Sequence, residues 1–261
     1  MDHTAVLAHY DQDMRAGAQP DGPGARIERT ATVVRQVADA HGWNGVLWSA
    51  LDETNADAVI AAQIAYYTGL GHPFEWKLHG HDLPGDLGPR LAAAGFTSEP
   101  EEALMVAETA EVVALTADAE LPEGVRIQRA DDAAGIARVV DVHEKVFGTD
   151  GSGLRHRLLT HLAVDPGSLL VVVALAGDEP VSAARLELVP GTRFAGLWGG
   201  GTLAAWRGRG LYRTLIAHRA RAAAAHGFRY LQVDASPMSR PVLERLGFHV
   251  LTTTTPYLYE A

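Results

Sequence analysis

The segment between residues 194 and 227 constrains the fold of this chain more than any other. Residues 194–198, FAGLW, have the apolar character of a buried strand, and three glycines follow, where a backbone can separate from its neighbour or approach a ligand closely. Apolar residues then recur at helical spacing from Leu211 to the alanines at 222–225, and Gly227 is a suitable C-terminal cap. The sequence therefore predicts a strand, a glycine-bearing turn and a helix in succession.

The turn before this helix has the features of an anion-binding site. The first turn of a helix has unpaired backbone N–H groups and the positive end of the helix dipole, and Gly208 and Gly210 would let a phosphate approach them without a Cβ in the way. The chain has a formal net charge of −10, yet residues 188–233 contain no Asp or Glu. Arginines fall within that acid-free stretch at positions 193, 207, 209, 213, 219, 221 and 229. This local reversal of charge predicts a polyanionic ligand.

Residues 207–212, RGRGLY, follow a strand and open a helix, and in this they resemble the acyl-CoA pyrophosphate loop of the GNAT (GCN5-related N-acetyltransferase) superfamily. Tyr212 stands where that family more often has Gly or Ala. The loop matches neither GxGxxG nor GxxxxGK[ST], which argues against dinucleotide and P-loop sites. Residues 234–248, which end in Leu-Gly-Phe, are similar to the strand-to-helix segment that closes the acyl-CoA cleft in the same family.

The order of predicted elements in the second half also matches a GNAT domain. Periodicity and turn residues predict a strand at 125–128, helices at 132–147 and 154–164, strands at 168–176, 181–188 and 194–202, the helix after the glycine turn, a strand at 230–234, a helix at 239–246 and a last strand at 250–259. The first half is predicted to contain helices at 4–16 and 27–39, a helix that runs from a cap at Asn55 or Asp57 to Gly69, a helix at 87–94, and strands at 44–51, 74–78 and 103–107.

Three short matches repeat at a separation of roughly 150 residues, which favours a duplicated unit. Leu47-Trp48 corresponds to Leu197-Trp198, residues 74–78 correspond to 230–233, and Ala94-Gly95-Phe96 corresponds to Leu246-Gly247-Phe248. The predicted fold class is therefore α/β (α+β), with two tandem GNAT-like domains, each a mixed, mostly antiparallel sheet flanked by helices.

Composition sets the predicted boundary between these domains. Residues 108–124 are rich in Ala, Glu and Thr and end in Pro-Glu-Gly, which is typical of a linker. We predict a degenerate GNAT-like domain at residues 1–118, a linker at 119–124 and a catalytic GNAT domain at 125–261.

In the first half the loop at residues 52–58, DETNADA, has three carboxylates, no glycine and no arginine. We therefore expect one CoA per chain, bound by the second half, and a structural role for the first.

The resemblance implies transfer of an acyl group, acetyl by default, from acyl-CoA to an amine of a small molecule or peptide. Acetyl-CoA is thus the expected co-substrate. The chain has no cysteine, so an acyl-cysteine intermediate is impossible and direct attack in a ternary complex is expected. The residues expected to contact CoA are Thr202, Leu203, Arg207, Gly208, Arg209, Gly210, Leu211, Tyr212, Arg213 and Ser236.

The groups that would move protons are less clearly marked. Many family members have a tyrosine four residues before the glycine of the Leu-Gly-Phe segment, and that position here is Leu243. Asp234 is the first candidate for the catalytic base, because it ends the strand beside the separated one; it could equally cap the turn at Ser236. Glu187 is the second candidate, and an ordinary surface carboxylate is the alternative.

Several other features have a structural explanation alongside a functional one. His143, His156 and His161 lie on the two predicted helices that roof the acceptor pocket in this family, but they could also be helix surface. Trp198 and Phe147 are expected in the core or the pocket wall. The His-Gly-His-Asp run at residues 79–82 has the residue types of a metal site but no element that would fix its geometry, so no metal is predicted.

Composition also excludes some partners. A pI near 5.6 argues against nucleic-acid binding, which needs an extended basic surface. The longest apolar run, residues 169–176, is too short to span a bilayer, and the N-terminal residues lack a signal-peptide pattern, so a cytoplasmic location is expected.

Two alternative functions remain open: an acyl-CoA binding or sensing protein without turnover, and acyl transfer from a carrier other than CoA.

Overall fold

The computed structural model describes residues 1–39 and 42–260, which form two compact units. The first unit contains residues 1–105, 234–237 and 250–261, and the second contains residues 106–233 and 238–249. Each unit is a sheet flanked by helices, so the predicted fold class is confirmed.

Helices and strands alternate along most of the chain. The helices are α1 His3–Tyr10, α2 Ala56–Leu70, α3 Leu87–Ala93, α4 Thr109–Leu115, α5 Ala133–Phe147, α6 Ser152–Val164, α7 Leu211–Ala225 and α8 Arg240–Glu244, with a π-helical segment at Asp11–Ala16 and a 3-10 turn at Ala204–Trp206. The strands are β1 Arg26–Arg29, β2 Val33–Val37, β3 Gly45–Ser49, β4 Phe74–His79, β5 Thr97–Ser98, β6 Glu102–Glu108, β7 Val125–Arg129, β8 Leu169–Ala176, β9 Glu179–Leu188, β10 Phe194–Thr202, β11 Tyr230–Ala235 and β12 His249–Tyr259. None of the helices in the described part of the chain combines the length and the hydropathy that a membrane crossing requires.

The first unit is built on the strand order β1-β2-β3-β4-β12, in which β3 and β4 are parallel and the other neighbours are antiparallel. Helix α2 connects the two parallel strands, as such a pair requires a crossover. Ile60 and Tyr67 from α2 pack on Phe74 and Trp76 of β4 and on Leu91 of α3, and all five side chains are buried. This core covers one face of the sheet.

The last strand of the chain belongs to the first unit. Strand β12 pairs with β4 in an antiparallel register that runs from Thr254 opposite His79 to Tyr259 opposite Phe74. Residues 106–118, in contrast, belong to the second unit. The two units thus differ from the predicted segments 1–118 and 125–261: residues 106–118 belong to the second unit, and residues 250–261 belong to the first. Tertiary packing rather than chain order decides which unit a segment joins.

The second unit has the strand order β7-β8-β9-β10-β11, antiparallel except for the parallel pair β10 and β11. Helix α7 connects that parallel pair as α2 connects β3 and β4. Helices α5 and α6 pack on one face of the sheet through residues such as Ile136 and Leu158, while Leu215 of α7 packs on Val172 and Ala184. The strand–helix–strand crossover is therefore present in both units, as the tandem prediction requires.

The helix predicted at residues 27–39 is wrong, because this segment forms the antiparallel hairpin of β1 and β2. Ile27, Val34 and Val37 are spaced in a way that also fits one face of a helix. The segment is nevertheless rich in β-branched residues, which favour strands. At the hairpin turn, the Thr30 hydroxyl accepts a hydrogen bond from the Val33 backbone N–H at 3.0 Å, which stabilises the reversal of the chain.

The reading of residues 108–124 as one continuous linker is also wrong in its first part. Residues 109–115 form α4, and Val112 and Thr116 are fully buried in the second unit. The Thr116 hydroxyl donates a hydrogen bond to the Val112 carbonyl at 2.7 Å, which closes the end of the helix. Composition alone misled here, because small and polar residues also suit a short helix with one packed face. Residues 119–124 contain no helix or strand.

Candidate active site

Strand β10 carries an irregularity at the three glycines that the sequence marked. Its pairing with β9 shifts by one residue between Trp198 and Gly201, and Gly199 has a left-handed φ of +57°. Its parallel register with β11 runs from residue 194 to Gly196. A bulge re-aims the strand and interrupts its pairing, so the predicted separation of the backbone occurs at this point.

The turn before α7 is open and exposed. Gly208 and Gly210 have φ values of +74° and +83°, a region that strongly favours glycine. Gly210 is the N-cap of α7, no side chain caps the helix there, and its first turn has no acidic residue. The backbone N–H groups of this first turn are therefore available to an anionic ligand.

Two arginines beside this turn have exposed side chains. The Arg207 Nε donates a hydrogen bond to the Thr202 carbonyl at 3.1 Å, which holds the turn against the end of β10. The Arg209 guanidinium lies 4.7 Å from the centre of the Trp206 ring, a cation–π distance. Both residues keep terminal guanidinium nitrogens at the open end of α7.

Other arginines of the acid-free stretch have structural partners. Arg213 donates hydrogen bonds to the Leu115 carbonyl at 2.9 Å and to Asp118 at 2.6 Å, both at the end of α4. Arg219 is buried and donates to the Arg185 carbonyl at 3.0 Å, and burial lowers its pKa to about 10. The charge pattern therefore combines ligand-facing and structural arginines, and contact of Arg213 with CoA remains a prediction.

Tyr212 reaches from the first turn of α7 to α8. Its hydroxyl forms a hydrogen bond with Ser239, and its ring lies 3.1 Å from the position that a Cβ atom would take at Gly200. Burial raises the pKa of Tyr212, so the phenol keeps its proton at neutral pH. Leu243, at the position of the family's tyrosine, is fully buried and has no proton to donate.

Thr202 and Leu203 stand where β10 meets the turn. The Thr202 hydroxyl lies 2.8 Å from the Ser182 hydroxyl, and the Leu203 N–H donates to the Val181 carbonyl at 2.9 Å. The Leu203 donor is thus used within the sheet. A contact of either residue with CoA remains a prediction.

Polar side chains share one face of β9, β10 and β11. Arg185 and Glu187 lie opposite Trp198 and Gly196, and Gly196 in turn lies opposite Gln232. A Cβ atom at Gly196 would stand 2.4 Å from the Trp198 indole nitrogen and 2.9 Å from the Gln232 amide nitrogen, so this glycine makes room for both side chains. The Gln232 carbonyl oxygen is buried without a hydrogen-bond partner, and could accept a hydrogen bond from an amine.

Glu187 lies at the far end of this face from the glycine turn before α7. Its partner on β10 is Gly196, whereas Thr202 at the loop pairs with Ser182, five residues along β9. At ~3.3 Å per residue these positions are about 17 Å apart. The Glu187 carboxylate is engaged by the Arg185 Nε at 2.9 Å. The structure therefore does not bring Glu187 to the loop, and its role as base remains a prediction.

Asp234 belongs to the first unit, where it forms an ion pair with Lys77. Both side chains are largely buried, and the Thr254 hydroxyl lies 3.5 Å from the other Asp234 carboxylate oxygen. Burial disfavours the charge on Lys77, but Asp234 outweighs this effect and raises the pKa of Lys77. The catalytic role predicted for Asp234 thus competes with a structural one that the sequence did not reveal.

Further ionisable groups surround this pair in the first unit. Burial, reinforced by the charge of Asp234, raises the pKa of Glu102 to about 7. Burial also raises the pKa of Glu75, which accepts a hydrogen bond from the Trp43 indole at 2.8 Å, and that of Tyr10 to about 12. Ser236, predicted to contact CoA, is in this unit as well.

The His-Gly-His-Asp run at residues 79–82 is part of a hydrogen-bond network. Asp82 accepts a hydrogen bond from Arg15 at 2.6 Å, and the His81 ring lies 2.9 Å from an Asp11 carboxylate oxygen. Burial lowers the pKa of His79 well below its usual value. Across residues 1–39 and 42–260, no group of three or more His, Asp or Glu side chains is arranged to hold a metal ion.

A pocket lies beside the polar face. Of its lining residues, only His143 was named from the sequence. The pocket lies between α5, α6, β9 and β10, and its lining residues are Val139, His143, Leu154, Leu158, Ala184, Arg185 and Gly199. The Phe147 ring centre lies 4.8 Å from that of His143 with the ring planes tilted by 44°, and Phe147 is about half exposed. Sequence reasoning missed Arg185 and Gln232, because the register that aligns them is a long-range property.

The family model described as "Acetyltransferase (GNAT) domain" matches residues 116–234. This range contains the bulged strand, the glycine turn and α7. No curated protein matches the sequence significantly.

Solved structures share the fold over the whole chain. A GCN5-related N-acetyltransferase from Kribbella flavida has a TM-score of 0.69 and 15% identity, covering 99% of this chain and 94% of that one. A conserved protein of unknown function from Staphylococcus epidermidis has a TM-score of 0.70 and 14% identity over 96% and 97%. A tandem GNAT protein from the clavulanic acid biosynthesis pathway has a TM-score of 0.64 and 13% identity over 98% and 93%. Residues 116–234 thus match a GNAT domain in sequence, and the chain as a whole shares the fold of these solved structures.

Proposed function

We propose that the second unit transfers an acyl group, acetyl by default, from acyl-CoA to an amine of a small molecule or peptide. The observation that carries this proposal is the uncapped, acid-free and exposed N-terminus of α7, which directly follows the bulged strand β10. Fixed N–H donors and mobile guanidinium groups at one point suit a pyrophosphate. In this proposal the residues that hold it are Arg207, Arg209 and the backbone from Gly208 to Leu211.

The chemistry needs a stabilised oxyanion and a neutral amine. Backbone N–H groups of the separated part of β10 would polarise the thioester carbonyl, as fixed dipoles do in acyl transfer. The unpartnered Gln232 oxygen on the neighbouring strand would accept a hydrogen bond from the attacking amine. Because the chain has no cysteine, the amine attacks the thioester directly, in a ternary complex.

Asp234 and Glu187 remain the candidate bases, although each is engaged with a cationic side chain, Lys77 or Arg185. Leu243 cannot protonate the departing thiolate, so water or the Tyr212 phenol takes that part. The first unit has a structural role in this proposal and binds no CoA.

The test is a thiol-release assay with acetyl-CoA and a panel of amines, read by a disulfide reagent that reacts with free CoA. The protein itself has no thiol and adds no background. Release that depends on the amine supports the proposal, and mass spectrometry of the product identifies the acylated acceptor. Failure to bind acetyl-CoA in calorimetry would contradict it.

A second candidate function is acyl-CoA binding or sensing without turnover. The buried Leu243 and the ion pair of Asp234 favour it, because both remove an expected catalytic group. Micromolar binding of acetyl-CoA, together with no amine-dependent release across the panel, would select this alternative.

A further inference from the structure

The pocket between α5, α6, β9 and β10 combines apolar walls with a guanidinium group. Val139, Leu154 and Leu158 form the walls, and Arg185 and His143 supply the polar atoms. The space is small and opens to solvent. It lies on the face of the sheet that carries Trp198 and Gln232, and thus on the acceptor side of the proposed site.

Arg185 is held in place and still has free donors. Its Nε donates to Glu187 at 2.9 Å, and its backbone carbonyl accepts from Arg219 at 3.0 Å. Its Nη1 lies 2.9 Å from the position of a Cβ at Gly199, so the glycine of the bulge creates the room that the guanidinium occupies. Among the described residues, none accepts a hydrogen bond from Nη1 or Nη2. A guanidinium with about one fifth of its side chain exposed therefore presents two unpaired nitrogens at the pocket.

The other polar group of the pocket, His143, adds no charge to it. Burial lowers the pKa of His143, and the charges of Arg185 and Arg157 lower it further, so the imidazole is neutral at physiological pH. The His143 Nε2 lies 3.3 Å from the Thr149 hydroxyl. The lining includes no carboxylate, and Glu187 beside it is already paired with the Arg185 Nε.

We propose that this pocket binds a carboxylate of the acceptor, so that the enzyme acylates amines that also carry a carboxylate and an apolar substituent. The terminal nitrogens of a guanidinium match the two oxygens of a carboxylate. The leucine and valine side chains would contact the apolar substituent at the open mouth of the pocket. This inference rests on the proposed function, because it concerns the acceptor of the same reaction.

The experiment compares acceptors that differ only in the carboxylate: leucine with 3-methylbutylamine, and phenylalanine with 2-phenylethylamine. In the thiol-release assay the member with the carboxylate is expected to have a kcat/KM at least about 10-fold higher. Arg185→Gln should lower that value about 10- to 100-fold and remove the discrimination, with no change in the KM for acetyl-CoA. Arg126→Gln changes an exposed arginine of the same unit and is the matched control. Arg185→Lys should retain part of the preference, since it keeps the charge but loses the paired geometry.

A direct binding measurement separates this inference from the proposed function. Calorimetry with N-acetylleucine and with N-(3-methylbutyl)acetamide measures the same difference without turnover. Tighter binding of N-acetylleucine to the wild type, lost in Arg185→Gln, supports the inference even if no amine is acylated. Equal rates within both acceptor pairs, or no binding of N-acetylleucine, would overturn it while leaving amine-dependent CoA release intact. Thermal unfolding of each variant confirms that the fold is retained.

Discussion

Helix α2 of the first unit and helix α7 of the second connect the same kind of parallel strand pair, but their N-termini differ. Before α2, the Asp52 carboxylate accepts hydrogen bonds from the Thr54 N–H at 2.8 Å, the Thr54 hydroxyl at 2.6 Å and the Asn55 N–H at 3.1 Å. The Thr54 and Asn55 bonds lower the pKa of Asp52 and keep it charged. Before α7, glycines leave the corresponding donors open.

The difference shows how one crossover can serve structure or binding. A carboxylate at a helix N-terminus satisfies the donors and the dipole that a phosphate would otherwise use. The first unit fills this place with its own side chains, and it pairs its buried charges internally, as Lys77 and Asp234 do. In the second unit, the N-terminus of α7 has no carboxylate, and Arg207 and Arg209 lie beside it. We therefore assign the charges of the first unit to its own stability and those of the α7 turn to a ligand.

The largest effect is expected from the ion pair of the first unit. Asp234→Asn removes the carboxylate that compensates the charge of the buried Lys77 ammonium, which should lower the free energy of unfolding by about 3–5 kcal/mol. Urea denaturation measures this loss. The double variant Lys77→Met, Asp234→Asn should recover most of it, because neither charge remains.

The same double variant tests the base assignment. If Asp234 only supports the fold, turnover should return together with stability. If Asp234 takes the amine proton, turnover should stay low in the double variant even though its stability is restored. The loss of turnover relative to the wild type should then be greatest at low pH. A single variant as stable as the wild type would contradict the structural assignment.

The second prediction concerns the open end of α7. Gly210→Asp or Arg207→Glu should weaken CoA binding about 100-fold or more, since each places a negative charge where pyrophosphate is expected, and Asp at φ +83° is also strained. Gly71→Asp is the matched control, because Gly71 has a φ of +69° and open space around it but lies in the first unit.

Calorimetry of these variants also tests the stoichiometry. We expect one CoA per wild-type chain and unchanged binding in Gly71→Asp. Two CoA molecules per chain, or a CoA located against Thr54, would contradict the contrast between the units, as would unchanged affinity in Gly210→Asp.

The smallest effect is expected from Glu102. Burial and Asp234 raise its pKa from the ordinary 4.5 to about 7, so between these values the folded state binds more protons than the unfolded state. Stability should therefore fall as pH rises from about 4.5 to 7, and this contribution is lost above pH 7. Glu102→Gln should reduce that decline, by a few degrees in Tm at most because the side chain is partly exposed. Identical Tm–pH profiles for both proteins would contradict the assignment.

Local signals predicted the second unit well. Residues 194–225 contain a strand, a glycine turn and a helix whose apolar spacing, φ requirements and charge all point to one arrangement, and the structure has it. Residues 27–39 show the limit of this approach, since Ile27, Val34 and Val37 fit a helical face although the segment forms a hairpin. Tertiary pairing with β3 decides between them.

The site itself was predictable where it is contiguous in the chain. The turn from Arg207 to Leu211 is a local motif, whereas the ion pair of Lys77 with Asp234 joins residues 157 positions apart. The alignment of Arg185 with Trp198 likewise depends on a strand register and a bulge. Such contacts follow from the packing of whole sheets, and no single window of sequence contains them.

The membership of β12 in the first unit has a consequence for synthesis of the protein. Residues 74–79 are made early, but their partners at residues 254–259 leave the ribosome about 180 positions later. Until then β4 has a vacant edge, and Trp76 and Phe74 lack their final neighbours. Strand pairing over such a separation is slow and leaves an unpaired edge open to other chains. The amino-terminal half should therefore depend on chaperones during translation and should aggregate when expressed without residues 249–259.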